Sequence, residues 1–293
     1  MNEPAQRYLT NLDDLDQLLD DETDRNIIVD FDYTLLRSNS TEEFLNCARP
    51  STVGALMLKL LAALKPWALG PERNGSSLWR DPIRTWVIML LMPWTVWLFK
   101  DRAPNIFRHF VSSELTKRLE SIDRSKIIIV SAGFEPFIRW ILATSQFQDC
   151  RLIASPLTNP LVIRGPGKLH ALQQLSLTLN RERDIVITDS LDDRDILDAV
   201  DHAFLIEPDL QDVRPPLADA YVPFLYTAKA KRSPEFVIKQ MMLEELPVAL
   251  LGTVFFASLA IGNLTSAALL FLAYLIVYEI GYAENDRVGI SRE

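Results

Sequence analysis

The chain has 293 residues, with 30 Lys and Arg against 39 Asp and Glu, a formal net charge of −9 and a pI near 5.0. That length exceeds what one compact domain usually needs, and the acidic balance argues against a nucleic-acid partner, which would call for a basic face. Cys47 and Cys150 are the only cysteines and no C-x-x-C occurs, which leaves no basis for a disulfide framework or a thiolate zinc site.

The first 25 residues are polar and acid-rich, without the basic start and apolar core of a secretory signal. The soluble part is therefore expected in the cytosol. Residues 9–19 are predicted to form a short amphipathic helix. Ile27, Ile28 and Val29 are all β-branched and read as a buried strand. That strand runs into Asp30-Phe31-Asp32-Tyr33-Thr34. Alternate residues on extended chain face the same way, so Asp30 and Asp32 are expected to address one spot beyond the strand end. Two such carboxylates repel unless a cation or a proton lies between them.

Ser40-Thr41-Glu42-Glu43 fits a capping box that opens a helix. Residues 53–64 form an apolar, helix-favouring run, and residues 71–77 read as a loop. A second apolar run, 86–99, contains Pro93, and five of the six tryptophans (Trp67, Trp79, Trp86, Trp94 and Trp97) lie in this region. Residues 106–119 read as one helix returning to the core. Further strands are expected at 127–130, 151–155, 185–188 and 203–206, with a helix at 135–144 and a Gly165-Pro166-Gly167 turn ahead of Lys168. Strands alternating with helices predict an α/β fold with a largely parallel sheet, and ligands in such sheets bind beyond the carboxyl ends of the strands. Asp30, Ser131 and Asp189 all fall at such ends.

Four motifs in order carry a resemblance: Asp30-Phe31-Asp32-Tyr33-Thr34; a strand ending in Ser131-Ala132-Gly133; Gly167-Lys168 ahead of a helix; and a strand ending in Thr188-Asp189-Ser190-Leu191-Asp192-Asp193. Over residues 25–210 the chain resembles the haloacid dehalogenase-like (HAD) hydrolase superfamily, in its phosphoserine-phosphatase-like branch. It is also similar to the HAD module fused ahead of UbiA-type polyprenyl transferases. The resemblance implies a Rossmann-like parallel sheet with a helical cap inserted after the first strand. It also implies a Mg²⁺-dependent phosphatase working through an aspartyl-phosphate. Asp30 would be the nucleophile. Asp32 would protonate the leaving oxygen and then activate water. Ser131 and Lys168 would complete the catalytic set, and Thr34, Ser131, Gly133 and Lys168 would bind the phosphoryl group. Asp30, the backbone carbonyl of Asp32, Asp189 and Asp193 would form the metal region, with Asp193 ordering a metal-bound water or the lysine. Thr188, Asp192 and Asp195 read as local caps and solvated charges. Asn39 stands where phosphoserine phosphatases carry an acid that reads the amino-acid substrate, which argues against phosphoserine.

After Pro234 the character changes. Residues 236–246 read as an interfacial helix, and residues 247–278 carry no charge over 32 positions. One straight helix of that length would be about 48 Å long, against a hydrocarbon core of about 30 Å. With Gly262-Asn263 as the break, a transmembrane hairpin is expected, its basic flanks on the cytoplasmic side. The apolar 86–99 run, too short for a span and rich in tryptophan, is expected to contact the membrane interface.

The expected organisation is a catalytic core of residues 1–36 and 116–225, a helical cap of residues 37–115, a linker of residues 226–246, a membrane hairpin of residues 247–281 and a cytoplasmic tail of residues 282–293. The chain is expected at the cytoplasmic (inner) membrane, catalytic part in the cytosol. Its expected substrate is a phosphorylated lipid or polyprenyl-linked molecule, and a prenyltransferase-type membrane protein is a candidate partner. The alternatives are a phosphatase of a small soluble ester and a non-catalytic partner of such an enzyme.

Overall fold

The computed structural model describes residues 8–19, 25–69, 78–207, 214–220, 222, 246–248, 251–252 and 261–290. They fall into two compact units, Met1–Ala218 and Asp219–Glu293.

The first unit is α/β. In chain order it contains α1 (Asp13–Leu19), β1 (Ile27–Asp30), α2 (Ser40–Asn46), α3 (Ser51–Leu64), α4 (Arg80–Leu91), α5 (Thr95–Phe110), α6 (Ser113–Leu119), β2 (Ile127–Phe134), α7 (Glu135–Leu142), β3 (Arg151–Ser155), α8 (Leu161–Arg164), α9 (Lys168–Gln174), β4 (Ile185–Thr188), α10 (Arg194–Leu197) and β5 (His202–Leu205). The five strands form one parallel sheet in the order β3-β2-β1-β4-β5. Ile27 lies opposite both Ile127 and Ile185, and Asp30 lies opposite Val130. Every residue of β1 and β4 is buried, because a parallel sheet covered on both faces selects unbroken β-branched runs. Ile28, Ile128, Val130 and Val186 pack with Leu172 of α9 and with Ile196 and Leu197 of α10. Each such side chain contributes about 1.5–3 kcal/mol on burial. From β1 the chain builds outward through β2 and β3, then crosses back to place β4 on the other side of β1. That reversal leaves a crevice at the carboxyl ends of the central strands.

The segment between β1 and β2 is helical, and aromatic rings tie it to the sheet. Phe44 of α2 stacks on Phe137 of α7 with centroids 4.3 Å apart, and Phe99 of α5 meets Phe137 edge-on at 5.2 Å. Such pairs add about 0.5–1.5 kcal/mol beyond area burial.

Several local expectations are corrected. The first helix spans only Asp13–Leu19. Leu9 instead continues the sheet edge, with its N–H donating to the Ala203 carbonyl and its carbonyl accepting from Leu205, each at 2.9 Å. The cap of α2 is Asn39, whose side chain accepts from the N–H groups of Thr41 and Glu42. A cap of this kind is worth about 1 kcal/mol. The 86–99 run is not one helix. It is divided between α4 and α5, which meet at 118° across Met92, Pro93 and Trp94, as expected where proline cannot donate to the helix ladder. The expected 106–119 helix is likewise broken at Val111 and Ser112, where Arg37 and Ser112 form backbone bonds that tie the chain to the segment after β1.

In the second unit α11 (Ile261–Ile290) is a continuous helix. Gly262 and Asn263 stand in its first turn, and it runs on through most of the expected tail. Residues 246–248 and 251–252 are also helical, and residues 249–250, 253–260 and the rest of the expected interfacial helix at 236–245 lie outside the described residues. Among the described residues no single helix is long and apolar enough to cross a membrane. The bent pair α4–α5 passes that test jointly, and residues 265–281 of α11 form a shorter apolar stretch.

Candidate active site

The crevice is built from the ends of β1, β2 and β4 and the start of α9. Asp30 ends β1 and is 9% exposed. Its Oδ1 accepts from the Phe31 N–H at 2.8 Å and from Lys168 Nζ at 2.7 Å. Lys168 Nζ also reaches Asp193 Oδ2 at 2.7 Å, and the Thr188 hydroxyl donates to that same oxygen at 2.5 Å. Lys168 opens α9, where the helix dipole disfavours a cation, and only two carboxylates make that position tenable. Burial works against its charge, yet Asp30 and Asp193 raise its pKa to about 12. Gly167 precedes it at φ 95. There a side chain would be strained and would collide with the Asp195 carboxylate, which accepts from the Leu169 N–H at 2.8 Å.

Asp32 is held quite differently. After β1 the chain turns tightly, with the Leu35 and Leu36 N–H groups donating to the carbonyls of Asp30 and Phe31 and Tyr33 in the left-handed region at φ 64. Asp32 Oδ1 accepts from the Ser40 N–H at 2.6 Å and Oδ2 from the Ser131 hydroxyl at 3.1 Å. The Ser131 hydroxyl in turn accepts from the Gly133 N–H at 2.8 Å. A Cβ on Gly133 would lie 2.7 Å from Asp32 Oδ2, 2.9 Å from Ser40 Oγ and 3.0 Å from Ser131 Oγ. Gly133 is therefore the space that lets three oxygens converge, and in this structure its N–H is committed to Ser131. Burial raises the pKa of Asp32, and the bonds from Ser40 and Ser131 oppose that shift.

The Asp30 carboxyl is pushed up to about 8, first by burial and then by Asp193 and Asp189, with Lys168 opposing. The Asp189 pKa is also raised, first by burial, with the Thr34 hydroxyl opposing, and its charge in turn raises that of Asp30. Two carboxylates whose pKa values are both raised at the end of the central strands are a pair that a hard, oxygen-seeking dication would relieve. The other residues of the expected metal region have protein partners. Asp193 is occupied by Lys168 and Thr188, and the Asp32 side chain by Ser40 and Ser131. Among the described residues no three acidic, His or Cys side chains are grouped to hold a metal. Thr34, expected at the phosphoryl group, donates its hydroxyl to Asp189 Oδ1 at 2.9 Å and so orients that carboxylate.

Around Asp32 lies a polar edge. Tyr33 is half-buried there, and its phenol is pushed up to about 12 by burial and then by Asp32, Glu42, Asp189 and Asp81. Arg84 of α4 is 5% exposed and forks onto both oxygens of Glu42 at 2.7 and 3.0 Å. Asp81 bridges Arg84 at 3.4 Å and Arg164 at 3.0 Å, and Arg164 Nε donates to the Ala132 carbonyl, next to Ser131, at 2.9 Å.

Asp30, Asp32, Ser131, Lys168, Asp189 and Asp193, all picked out from sequence, thus gather at one place. Sequence reasoning missed the roles of Ser40, Thr188 and Arg164. Thr188 read as a local cap but bonds Asp193 directly. The only signal for it was its position at the last buried strand residue before the acidic cluster. Comparison with protein-family models, curated proteins and solved structures finds no match for this chain.

Proposed function

We propose that this protein is a Mg²⁺-dependent phosphatase of the HAD-like type, acting on a phosphate monoester through an aspartyl-phosphate. The observation that carries this reading is the division of labour between two aspartates on one strand end. Asp30 is fixed beside Lys168, and Asp32 is fixed separately by Ser40 and Ser131. In this reading an Asp30 carboxylate oxygen attacks phosphorus in line with the leaving oxygen, and the P–O bond to that oxygen breaks as Asp32 delivers its proton. The raised pKa of Asp32 suits a carboxyl that must carry a proton near neutrality. After the alcohol leaves, Asp32 takes a proton from water, the water oxygen bonds to phosphorus, and the acyl-phosphate P–O bond breaks to return Asp30 and inorganic phosphate. Lys168 and the Ser131 hydroxyl offset charge on the moving phosphoryl group. Magnesium, held by Asp30, Asp189 and, by the resemblance, the Asp32 carbonyl, supplies charge neutralisation on the phosphoryl oxygens.

In this reading the segment between β1 and β2 is the cap, and the exposed apolar α11 belongs to a membrane anchor at the cytoplasmic membrane. The leaving group is polar. Tyr33, Glu42, Asp81, Arg84 and Arg164 edge the site, and they supply hydrogen bonds and charge rather than an apolar channel. The lipid-linked substrate draws its support from a different observation, the exposed apolar residues elsewhere on the cap.

The test is hydrolysis of an aryl phosphate by the full chain with and without Mg²⁺. Activity should require the ion, and Asp30→Asn should lower kcat by at least about a thousandfold. Hydrolysis by Asp30→Asn at the wild-type rate would overturn the reading. In a series of monoesters differing in tail length, a flat kcat/KM supports the polar leaving group. A rise with each methylene supports the lipid.

A further inference from the structure

The helices between β1 and β2 bury one apolar face, with Ile88, Met92 and Phe99 inside, and leave a second apolar face uncovered. Arg84, Thr85 and Thr95 are buried, and Asp81 is drawn inward by Arg84 and Arg164. Toward solvent, Leu60 and Leu64 of α3 are 56% and 67% exposed. At the 118° corner where α4 meets α5, Leu90 is 79% exposed, Trp97 69%, Trp94 42% and Leu98 41%. The Trp94 ring is presented rigidly, because its indole N–H donates inward to the Arg49 carbonyl at 2.6 Å. A bend of that size forbids a straight span, but it suits a corner lying in the plane of a bilayer interface.

Charge decides the occupant. Among the described residues of 51–100 no acidic side chain is exposed, Lys59 and Arg80 are exposed, and Arg84 is buried against Glu42 and Asp81. Lys65 and Lys100 are exposed there. Five of the six tryptophans lie in the same stretch, and tryptophan with lysine is the pairing favoured at headgroup depth. A second copy of the chain would set these exposed basic groups against their own like charges, which costs affinity. We propose that this corner docks into the interfacial layer of an anionic lipid bilayer, with Leu90, Trp94, Trp97 and Leu98 entering the acyl boundary and the lysines meeting the headgroups. The proposal does not depend on the phosphatase reading.

The test uses the full chain with vesicles of phosphatidylcholine and phosphatidylglycerol whose acyl chains are brominated, since bromine quenches indole emission on contact. Wild type should lose most of its tryptophan emission. The Leu90→Glu/Leu98→Glu variant, which keeps every tryptophan, should lose most of that quenching while retaining its circular dichroism. Lys65→Glu/Lys100→Glu should abolish the added quenching that phosphatidylglycerol confers. Unquenched wild type, or equal quenching in the leucine variant, would overturn the proposal. A concentration-dependent dimer that the leucine variant loses, without quenching, would assign the corner to a second copy and overturn it as well. Quenching indifferent to phosphatidylglycerol would overturn its anionic component.

Discussion

The strand-end crevice and the α4–α5 corner are opposite uses of the same residue types. In the sheet, apolar side chains are packed inward, and the charged groups sit at the strand tips under partial cover, each with a named partner. At the α4–α5 corner, Arg84, Thr85 and Thr95 lie inside together with Ile88, Met92 and Phe99, while Leu90, Trp94, Trp97 and Leu98 face out. Burial in the sheet stabilises the fold. The outward leucines and tryptophans of the corner contribute little to it, and they persist at a cost in solubility that only an external apolar contact would offset. The contrast teaches that apolar sequence is not by itself core. What matters is which face the neighbouring elements cover.

The largest effect expected within this contrast comes from breaking the buried charge cluster. Lys168→Met leaves Asp30 and Asp193 facing each other without a cation, and removing one partner from a buried pair costs about 3–5 kcal/mol. The pH dependence has a definite sign. The folded pKa of Asp30, about 8, is already above its ordinary value of 3.8. The folded state therefore prefers the protonated form, and the penalty accumulates as pH rises through that interval. Urea unfolding in the absence of Mg²⁺ should show the variant less impaired at pH 6 than at pH 8. An equal deficit at both would mean that Lys168 does not serve to hold these carboxylates.

A smaller effect on folding, but a clear one on chemistry, is expected at Gly133. Gly133→Ala places a methyl where Asp32 Oδ2 stands 2.7 Å away. On the phosphatase reading kcat should fall about a hundredfold, as catalytic groups displaced by about 1 Å typically do, with KM little changed. A variant as active as wild type would show that Asp32 is not held for proton transfer.

The smallest effect sharpens the comparison within one helix. Ile88 is fully buried, and Leu90, two residues on, is 79% exposed. Ile88→Ala should cost about 2–5 kcal/mol, whereas Leu90→Ala should stay within about 0.5 kcal/mol in detergent-free buffer. If thermal or urea unfolding gives Leu90→Ala a cost like that of Ile88→Ala, the corner belongs to the core and is not an uncovered apolar surface.

The strands were legible because their signal is local. Runs such as Ile27-Ile28-Val29 and Ile185-Val186-Ile187 can be satisfied only by a strand covered on both faces, and parallel register then brings their carboxyl ends to one level. That alone gathered Asp30, Ser131 and Asp189, with Lys168 delivered by its glycine turn. What the linear chain could not disclose depends on turns and crossovers. Ser40 reaches Asp32 because of the tight turn after β1, not because of spacing. Asn39, not Ser40, caps α2, because it is the Asn39 side chain that reaches the Thr41 and Glu42 N–H groups. Arg164 meets Asp81 only once α8 and α4 are brought together across 83 positions of chain. The apolar run of residues 86–99 fixed that something there would avoid water. Only the packing of α4 and α5 decided which residues did so inside the protein and which were left on its surface, because a side chain's environment is set by the elements that cover it.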